Sequence, residues 1–281
     1  MTLRRLAVLA LVAAAAGLTG CAAAPQPLDG IRVVVYQPRT DIALGRLALQ
    51  VVNDSARDLE VVGARLRIED AVADAVWPGT GTTVVAGRTL DLRAPLPVFT
   101  CEEPGGAEVE VEYRDGATGG TLRLTPEDPY DLLPRLREEQ CLDDRIAEIA
   151  VVTPRELRVA DPSGPAVLVL DVAPTGAPGT VLVESVAGTT LLQPAPDGVA
   201  AHGAAPLGVE LSADGPRELA VPFLPNRCDA HALADDKIGT IIPFEVTLDD
   251  GTAGRWLVPS PDDIKGAFYG YYAAHCGLAI P

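Results

Sequence analysis

The residues that could do chemistry in this sequence are concentrated in one polar stretch of its second half. Positions 226–237 bring together Asp229, His231, Asp235 and Asp236. If the stretch forms a turn of helix, His231 and Asp235 are four residues apart and share a face. Imidazole and carboxylate groups are donors for a divalent cation. The pattern therefore predicts a site for a small ligand or a divalent metal of unknown identity. The alternative is an inserted, solvated loop whose basic residues neutralise the acids.

The sequence contains no recognisable catalytic motif. It has only three histidines, His202, His231 and His275, and neither a G-x-S-x-G nor an H-E-x-x-H pattern. The Gly79-Thr80-Gly81 segment lacks the third glycine of a dinucleotide fingerprint, so we interpret it as a turn. We therefore expect a protein that is not an enzyme and that carries no cofactor.

The first of the five cysteines follows an apolar segment at the N-terminus. Arg4 and Arg5 precede 12 residues that are apolar or glycine, a run too short for the roughly 20 residues that span a bilayer. The run is typical of a signal peptide. It ends in Leu18-Thr19-Gly20-Cys21, which resembles the lipobox of bacterial lipoproteins. The alternative is an ordinary secretory signal cleaved near residues 22–24.

The resemblance implies a location and an anchor for the chain. In bacterial lipoproteins the signal is cleaved before the lipobox cysteine, whose sulfur then carries a diacylglyceryl group. Residues 1–20 would be the signal peptide, Cys21 the lipid attachment site and residues 21–28 a short tether. The protein is then expected on the extracytoplasmic face of the cell membrane, with the lipid bilayer as its partner. Twenty arginines against two lysines suggest a GC-rich bacterial source.

The two halves of the chain end in the same pattern, offset by 135 residues. The windows 115–141 and 250–276 share seven identical positions: Asp115, Gly116, Gly119, Leu122, Pro126, Asp128 and Cys141 match Asp250, Gly251, Gly254, Leu257, Pro261, Asp263 and Cys276. Similar elements surround these identities in the same order, which indicates an internal duplication.

Each copy predicts a β-hairpin followed by a helix. Val109, Val111 and Tyr113 alternate with three outward glutamates, and an Asp-Gly turn follows. The helix is expected to begin after a hydroxyl N-cap, Thr125 or Ser260, and to end at the cysteine. In the second copy its apolar face contains Ile264, Ala267, Phe268, Tyr271 and Tyr272, while Pro129 and Pro134 shorten or kink the first helix.

The remaining four cysteines could pair in three ways in an oxidising compartment. The duplication favours pairing within each copy, since one cysteine precedes the hairpin and the other ends the helix. We therefore predict the disulfides Cys101–Cys141 and Cys228–Cys276, each pinning a C-terminal helix across its sheet.

About seven short strands per half, separated by turn signals, predict an all-β protein with short helices. We expect two tandem immunoglobulin-like antiparallel β-sandwich domains, at residues 29–144 and 145–281. Their formal charges are similar: residues 22–145 contain 13 basic and 22 acidic residues, and residues 146–281 contain 7 and 17. The net charge of −17 argues against a nucleic-acid partner.

The duplicated unit, the lipobox and the paired cysteines together resemble exported lipoproteins of GC-rich Gram-positive bacteria. These features favour a membrane-anchored, non-catalytic binding or scaffolding module of the cell envelope, whose partner would be another envelope protein. The alternative is a lipoprotein that binds a small ligand or divalent metal through the loop from Cys228 to Lys237.

Overall fold

The computed structural model describes residues 29–115, 118–212, 215–234, 236 and 238–279. The predicted signal peptide, Cys21, the tether to residue 28, Asp235 and Lys237 lie outside the described residues. Within the described chain, no helix is long and apolar enough to cross a membrane.

Eight strands and the start of a long helix surround the first core. The strands are β1 (Ile31–Tyr36), β2 (Arg46–Asn53), β3 (Leu59–Ile68), β4 (Ala75–Val76), β5 (Thr82–Val84), β6 (Arg88–Pro95), β7 (Ala107–Asp115) and β8 (Thr118–Leu124). The helices are the short α1 (Arg39–Ile42) and the 18-residue α2 (Leu132–Ile149). One sheet has the order β1-β2-β6 and the other β4-β3-β7-β8, with β5 paired to β3, and all these pairs are antiparallel.

Eight further strands form the second sandwich. They are β9 (Ala150–Arg158), β10 (Ala166–Pro174), β11 (Val181–Ala187), β12 (Leu192–Pro194), β13 (Ala204–Leu211), β14 (Arg217–Pro225), β15 (Ile241–Leu248) and β16 (Ala253–Pro259). The helices are α3 (Ala230–Ala234) and α4 (Asp262–Cys276). The sheets have the orders β12-β14-β10-β9 and β13-β11-β15-β16.

Both halves have the strand pairing of an immunoglobulin-like sandwich. In each half the first two strands pair with a late strand in one sheet, while the third strand pairs with the final hairpin in the other. Apolar residues from both sheets form one buried cluster per half. The predicted fold class is therefore confirmed. The halves differ in their middle strands: β4 and β5 both pair with β3, whereas β12 joins the β14 sheet before β13 returns to β11.

The predicted hairpin faces are largely confirmed, with one correction on the outer face. Val109, Val111 and Tyr113 are buried. Glu110, expected to point outward into solvent, is only 6% exposed. Arg65 Nε lies 3.2 Å from its carboxylate, and Arg67 and Arg123 also pair with it. Arginines on the neighbouring strands therefore cover this glutamate.

The predicted helix start is wrong in the first copy and right in the second. Glu127 does not enter a helix but hydrogen-bonds to the β1 backbone, with its N–H 2.8 Å from the Val33 carbonyl. The Asp128 carboxylate instead accepts the amides of Leu132 and Leu133, at 2.8 Å each, so α2 begins there. In the second copy α4 begins at Asp262 with two acids in its first turn, as predicted, but its N-cap residue is Pro261 and not Ser260, and no side chain caps it.

The first helix is longer than predicted. It does not end at Cys141 but continues to Ile149, and β9 follows directly at Ala150. In α4, Ile264, Phe268, Tyr271 and Tyr272 are buried as predicted, but Ala267 is exposed.

The long helix α2 contributes to both cores. Leu132 and Leu136 pack into the first cluster, while Leu142, Ile146 and Ile149 pack into the second. The expected domain boundary between residues 144 and 145 lies within this helix. The two sandwiches are thus joined by a continuous, packed element.

Candidate functional site

Both predicted disulfides are present. Cys101, in the loop between β6 and β7, is bonded to Cys141 in α2, with 5.6 Å between the Cα atoms. Cys228, after β14, is bonded to Cys276 at the end of α4, with 5.1 Å between the Cα atoms. These four thiols are therefore not available as nucleophiles or metal ligands.

The start of the polar loop forms the expected turn of helix, but its acid has a structural role. The Asp229 carboxylate accepts the His231 amide at 2.9 Å and so caps α3. Arg227 lies 3.8 Å from the other carboxylate oxygen. The hydroxyl of Tyr272, on α4, donates to the Arg227 carbonyl and accepts the Asp229 amide at 3.2 Å. His231 is exposed.

Asp236 is turned toward the protein. Its carboxylate accepts the Gly239 amide at 2.7 Å, the Thr190 hydroxyl at 3.1 Å and the Tyr269 hydroxyl at 3.0 Å. Burial raises the pKa of Tyr269, and the negative charge of Asp236 raises it further. Asp236 therefore ties the loop to α4 and to the segment before β12.

The described members of the predicted ligand site are not grouped as a metal centre. No three His, Cys, Asp or Glu side chains within the described residues could hold a metal ion together. Asp235, the fourth predicted member, lies outside them.

Two adjoining cavities are lined by α2 together with residues of both sandwiches. The first, about 550 Å³, contains four arginines, Arg135, Arg137, Arg145 and Arg255, and we call it the arginine cavity. The second, about 490 Å³, is lined mainly by aliphatic residues and prolines, and we call it the apolar cavity: Ile42, Ala43, Leu96, Leu136, Ile238, Ile241, Pro243, Leu257 and Pro259. Arg135, Glu139 and Arg255 line both cavities, which therefore meet there and form one groove.

Contacts between α2 and the β15–β16 hairpin fix one wall of the groove. The Trp256 indole N–H donates to Asp143 at 2.9 Å. Arg145 reaches Asp250 at 2.7 Å and the Thr252 hydroxyl at 3.0 Å. Hydrogen bonds from Thr252 and Arg145 lower the pKa of the Asp250 carboxyl to about 2. The hairpin is therefore held against the helix by charged and neutral hydrogen bonds.

The arginines of the groove differ in whether their guanidinium groups have hydrogen-bond or ion-pair partners. Arg135 pairs with Glu139 at 3.1 Å, one helical turn along α2. Arg137 pairs with Asp70 through Nε at 2.6 Å, but its Nη2 is buried with no hydrogen-bond partner among the described residues. Arg255 is exposed and forms no ion pair with any residue that the structure describes. Arg255 thus retains donors for an anion, whereas the unpaired Nη2 of Arg137 is enclosed by protein.

Asp70 positions Arg137 beside the groove. Burial alone would raise the pKa of this carboxyl, but hydrogen bonds from Arg137 and the Gly105 amide outweigh that effect, and the pKa is lowered. Asp70 is therefore charged at neutral pH and holds one edge of the Arg137 guanidinium.

Sequence reasoning missed this groove because its residues are far apart in the chain. Arg135, Arg137 and Arg145 are on one helix, whereas Arg255 comes more than 100 residues later. The available signal was the group of arginines in α2 within a strongly acidic chain. Arg255 joins the arginines of α2 only because the second hairpin packs against α2 in the folded chain.

No protein-family model matches the chain, and no curated protein is significantly similar to it. Among solved structures, red sea bream transglutaminase is 13% identical, with 83% of this chain and 31% of that chain covered and a TM-score of 0.22. CBD12 from CALX1.2 is 12% identical, with 79% and 84% covered and the same TM-score. At that TM-score neither likeness bears on the fold or the function.

Proposed function

We propose that this protein is a membrane-anchored, extracytoplasmic lipoprotein that serves as a non-catalytic binding or scaffolding module of the cell envelope. The observation that carries the proposal is the pair of formed disulfides, one per sandwich. Structural disulfides persist in oxidising compartments. They agree with the signal-like N-terminus and the lipobox-like sequence before Cys21.

The architecture supports a binding role. Immunoglobulin-like sandwiches carry contacts on loops and between domains, and here α2 fixes the two sandwiches to each other. The groove beside α2 combines volume, charge and apolar walls. Since both cysteine pairs are oxidised, thiol catalysis is not part of the proposal.

Fractionation of a GC-rich Gram-positive host expressing the full chain tests the anchoring. We expect the wild-type protein in the membrane fraction, in the detergent phase after phase separation, and digestible by protease added to cells whose wall has been removed. A lipid on Cys21 requires its sulfur, so Cys21→Ser should lose metabolic labelling with a fatty acid.

The matched control is Cys101→Ser combined with Cys141→Ser, which removes sulfurs that the proposal does not lipidate. This double variant should keep the label. Equal labelling of wild type and Cys21→Ser, or wild-type protein protected from external protease, would contradict the proposed function.

A further inference from the structure

We propose that the groove beside α2 binds a single-chain amphiphile with a carboxylate head, the head in the arginine cavity and the chain in the apolar cavity. This assignment rests on the proposed function, because a chain anchored at a membrane lies where such amphiphiles are concentrated. It goes further by naming the ligand chemistry and the residues that recognise it.

The head-group assignment follows from the unsatisfied donors. The chain carries a net charge of −17, yet four arginines line one cavity. Arg255 has no carboxylate partner among the described residues, and Arg137 Nη2 is buried and unpaired. A guanidinium presents donors in a fork that matches a carboxylate. An incoming carboxylate would pair with the exposed guanidinium of Arg255.

The chain assignment follows from the walls of the apolar cavity. Its volume of about 490 Å³ lies within the range of small-molecule sites. Away from Arg135, Glu139 and Arg255 at the shared end, the polar side chains of the lining are hydrogen-bonded within the protein: Gln37 donates to the Arg46 carbonyl at 3.1 Å, Thr189 to the Gly239 carbonyl at 2.8 Å and Thr190 to Asp236 at 3.1 Å. The two threonine hydroxyls therefore have no proton left to donate. Most of the remaining lining is aliphatic, which favours a hydrocarbon occupant.

The residues shared by the two cavities determine how the ligand is oriented in the groove. Arg135, Glu139 and Arg255 lie where the cavities meet, so a carboxylate held there leaves its chain beside Leu257 and Ala43. Glu139 occupies Arg135 and places a negative charge near the head group. We therefore expect Glu139 to weaken binding and Arg255 to be its main determinant.

Photolabelling of the mature full chain in lipid nanodiscs tests this inference. The probe is decanoate with a diazirine near the chain end, and the labelled peptides are identified by mass spectrometry. We expect saturable labelling of the segments that contain Ala43, Leu96 and Leu257. Decanol carrying the same diazirine should label these segments weakly.

Variants separate the head and chain contributions. Arg255→Gln should reduce labelling at a fixed low probe concentration about tenfold, the loss expected when charge-assisted hydrogen bonds are removed. Ala43→Glu puts a charge at an exposed position in the apolar wall and should also reduce labelling. Glu139→Gln should increase it. The matched control is Arg88→Gln, which removes an exposed arginine outside the groove.

The inference would be overturned by equal labelling by decanol, by labelling unchanged by Arg255→Gln and Ala43→Glu, or by labelled peptides outside the groove. Full competition by an acidic peptide would assign the groove to a protein partner instead. Incorporation of the chain into nanodiscs reports on the anchor, and labelling reports on the groove, so the two proposals can fail separately.

Discussion

Asp70 shows how one buried carboxylate positions both a helix and a candidate ligand group. It is 7% exposed, and its oxygens accept the Arg137 guanidinium at 2.6 Å and the Gly105 amide at 3.1 Å. The first contact fixes α2, and the second fixes the loop after Cys101. Asp70 lies just after the end of β3, and the sequence did not predict its contact with Arg137, because the two residues are 67 positions apart.

Asp70→Asn should lower the free energy of unfolding by about 2 to 3 kcal/mol at pH 7, since it leaves Arg137 without its charged partner. The folded-state pKa of Asp70 is lowered, so its contribution is complete above the unfolded-state pKa of about 4 and is lost as the pH falls through the folded-state pKa. The difference between wild type and variant, measured by denaturant titration, should therefore shrink below about pH 4.

Asp54→Asn is the control, because its ion pair with Arg32 is exposed on both sides. Its effect should be below about 1 kcal/mol. A variant Asp70→Asn as stable as Asp54→Asn would show that the Arg137 contact has no structural role.

The sequence largely predicted which side chains of the strands and helices are buried. Alternation identified Val109, Val111 and Tyr113 as buried, and helical spacing identified Phe268 and Tyr272. The sequence did not predict which polar side chains far apart in the chain would contact each other. Glu110 is buried because arginines of β3 and β8 cover it, and Asp236 is turned inward because Tyr269 and Thr190 meet it.

At the scale of elements, α2 is the main departure from the sequence-based expectation. The repeat predicted a helix that ends at its cysteine, as α4 does. The residues after Cys141 contain Leu142, Ile146 and Ile149 at helical spacing, and the second core buries this stripe. This helical spacing is present in the sequence. We did not extend the helix along it, because we expected a domain boundary between residues 144 and 145.

Paired truncations in α2 test its double role. Leu136→Ala and Leu142→Ala each remove a buried side chain and should each cost about 2 to 4 kcal/mol. By hydrogen exchange, Leu136→Ala should first reduce protection in β1, β2 and β7, and Leu142→Ala in β15 and β16. Loss of protection in the same strands for both variants would contradict the division of α2 between the cores.

The disulfides act at the same scale, because each ties a helix to a loop of its own sandwich. They close segments with sequence separations of 40 and 48 residues, so the chain-entropy model gives about 4 kcal/mol for each. Replacing Cys101 and Cys141 by serine should lower the unfolding free energy by that amount, measured by denaturant titration. The same substitutions at Cys228 and Cys276 provide the matched comparison, and wild-type stability in both would contradict a structural role.

At the scale of the whole molecule, the acidic charge is spread over both sandwiches, whereas the groove gathers arginines. The composition showed the first fact and could not show the second, because only the packing of β16 against α2 brings Arg255 to the other three. The short strands and turn signals predicted the fold class, and the repeat predicted both disulfides. The groove follows from the arrangement of the two sandwiches.

The most direct test of the proposed envelope lipoprotein is the intact mass of the mature chain, purified from membranes and treated with an alkylating agent without reduction. We expect a chain that begins at Cys21, carries the added mass of a diacylglyceryl group and has no alkylated cysteine among the other four. A chain that retains residues 1–20, an unmodified Cys21, or alkylation of Cys101, Cys141, Cys228 or Cys276 would contradict it.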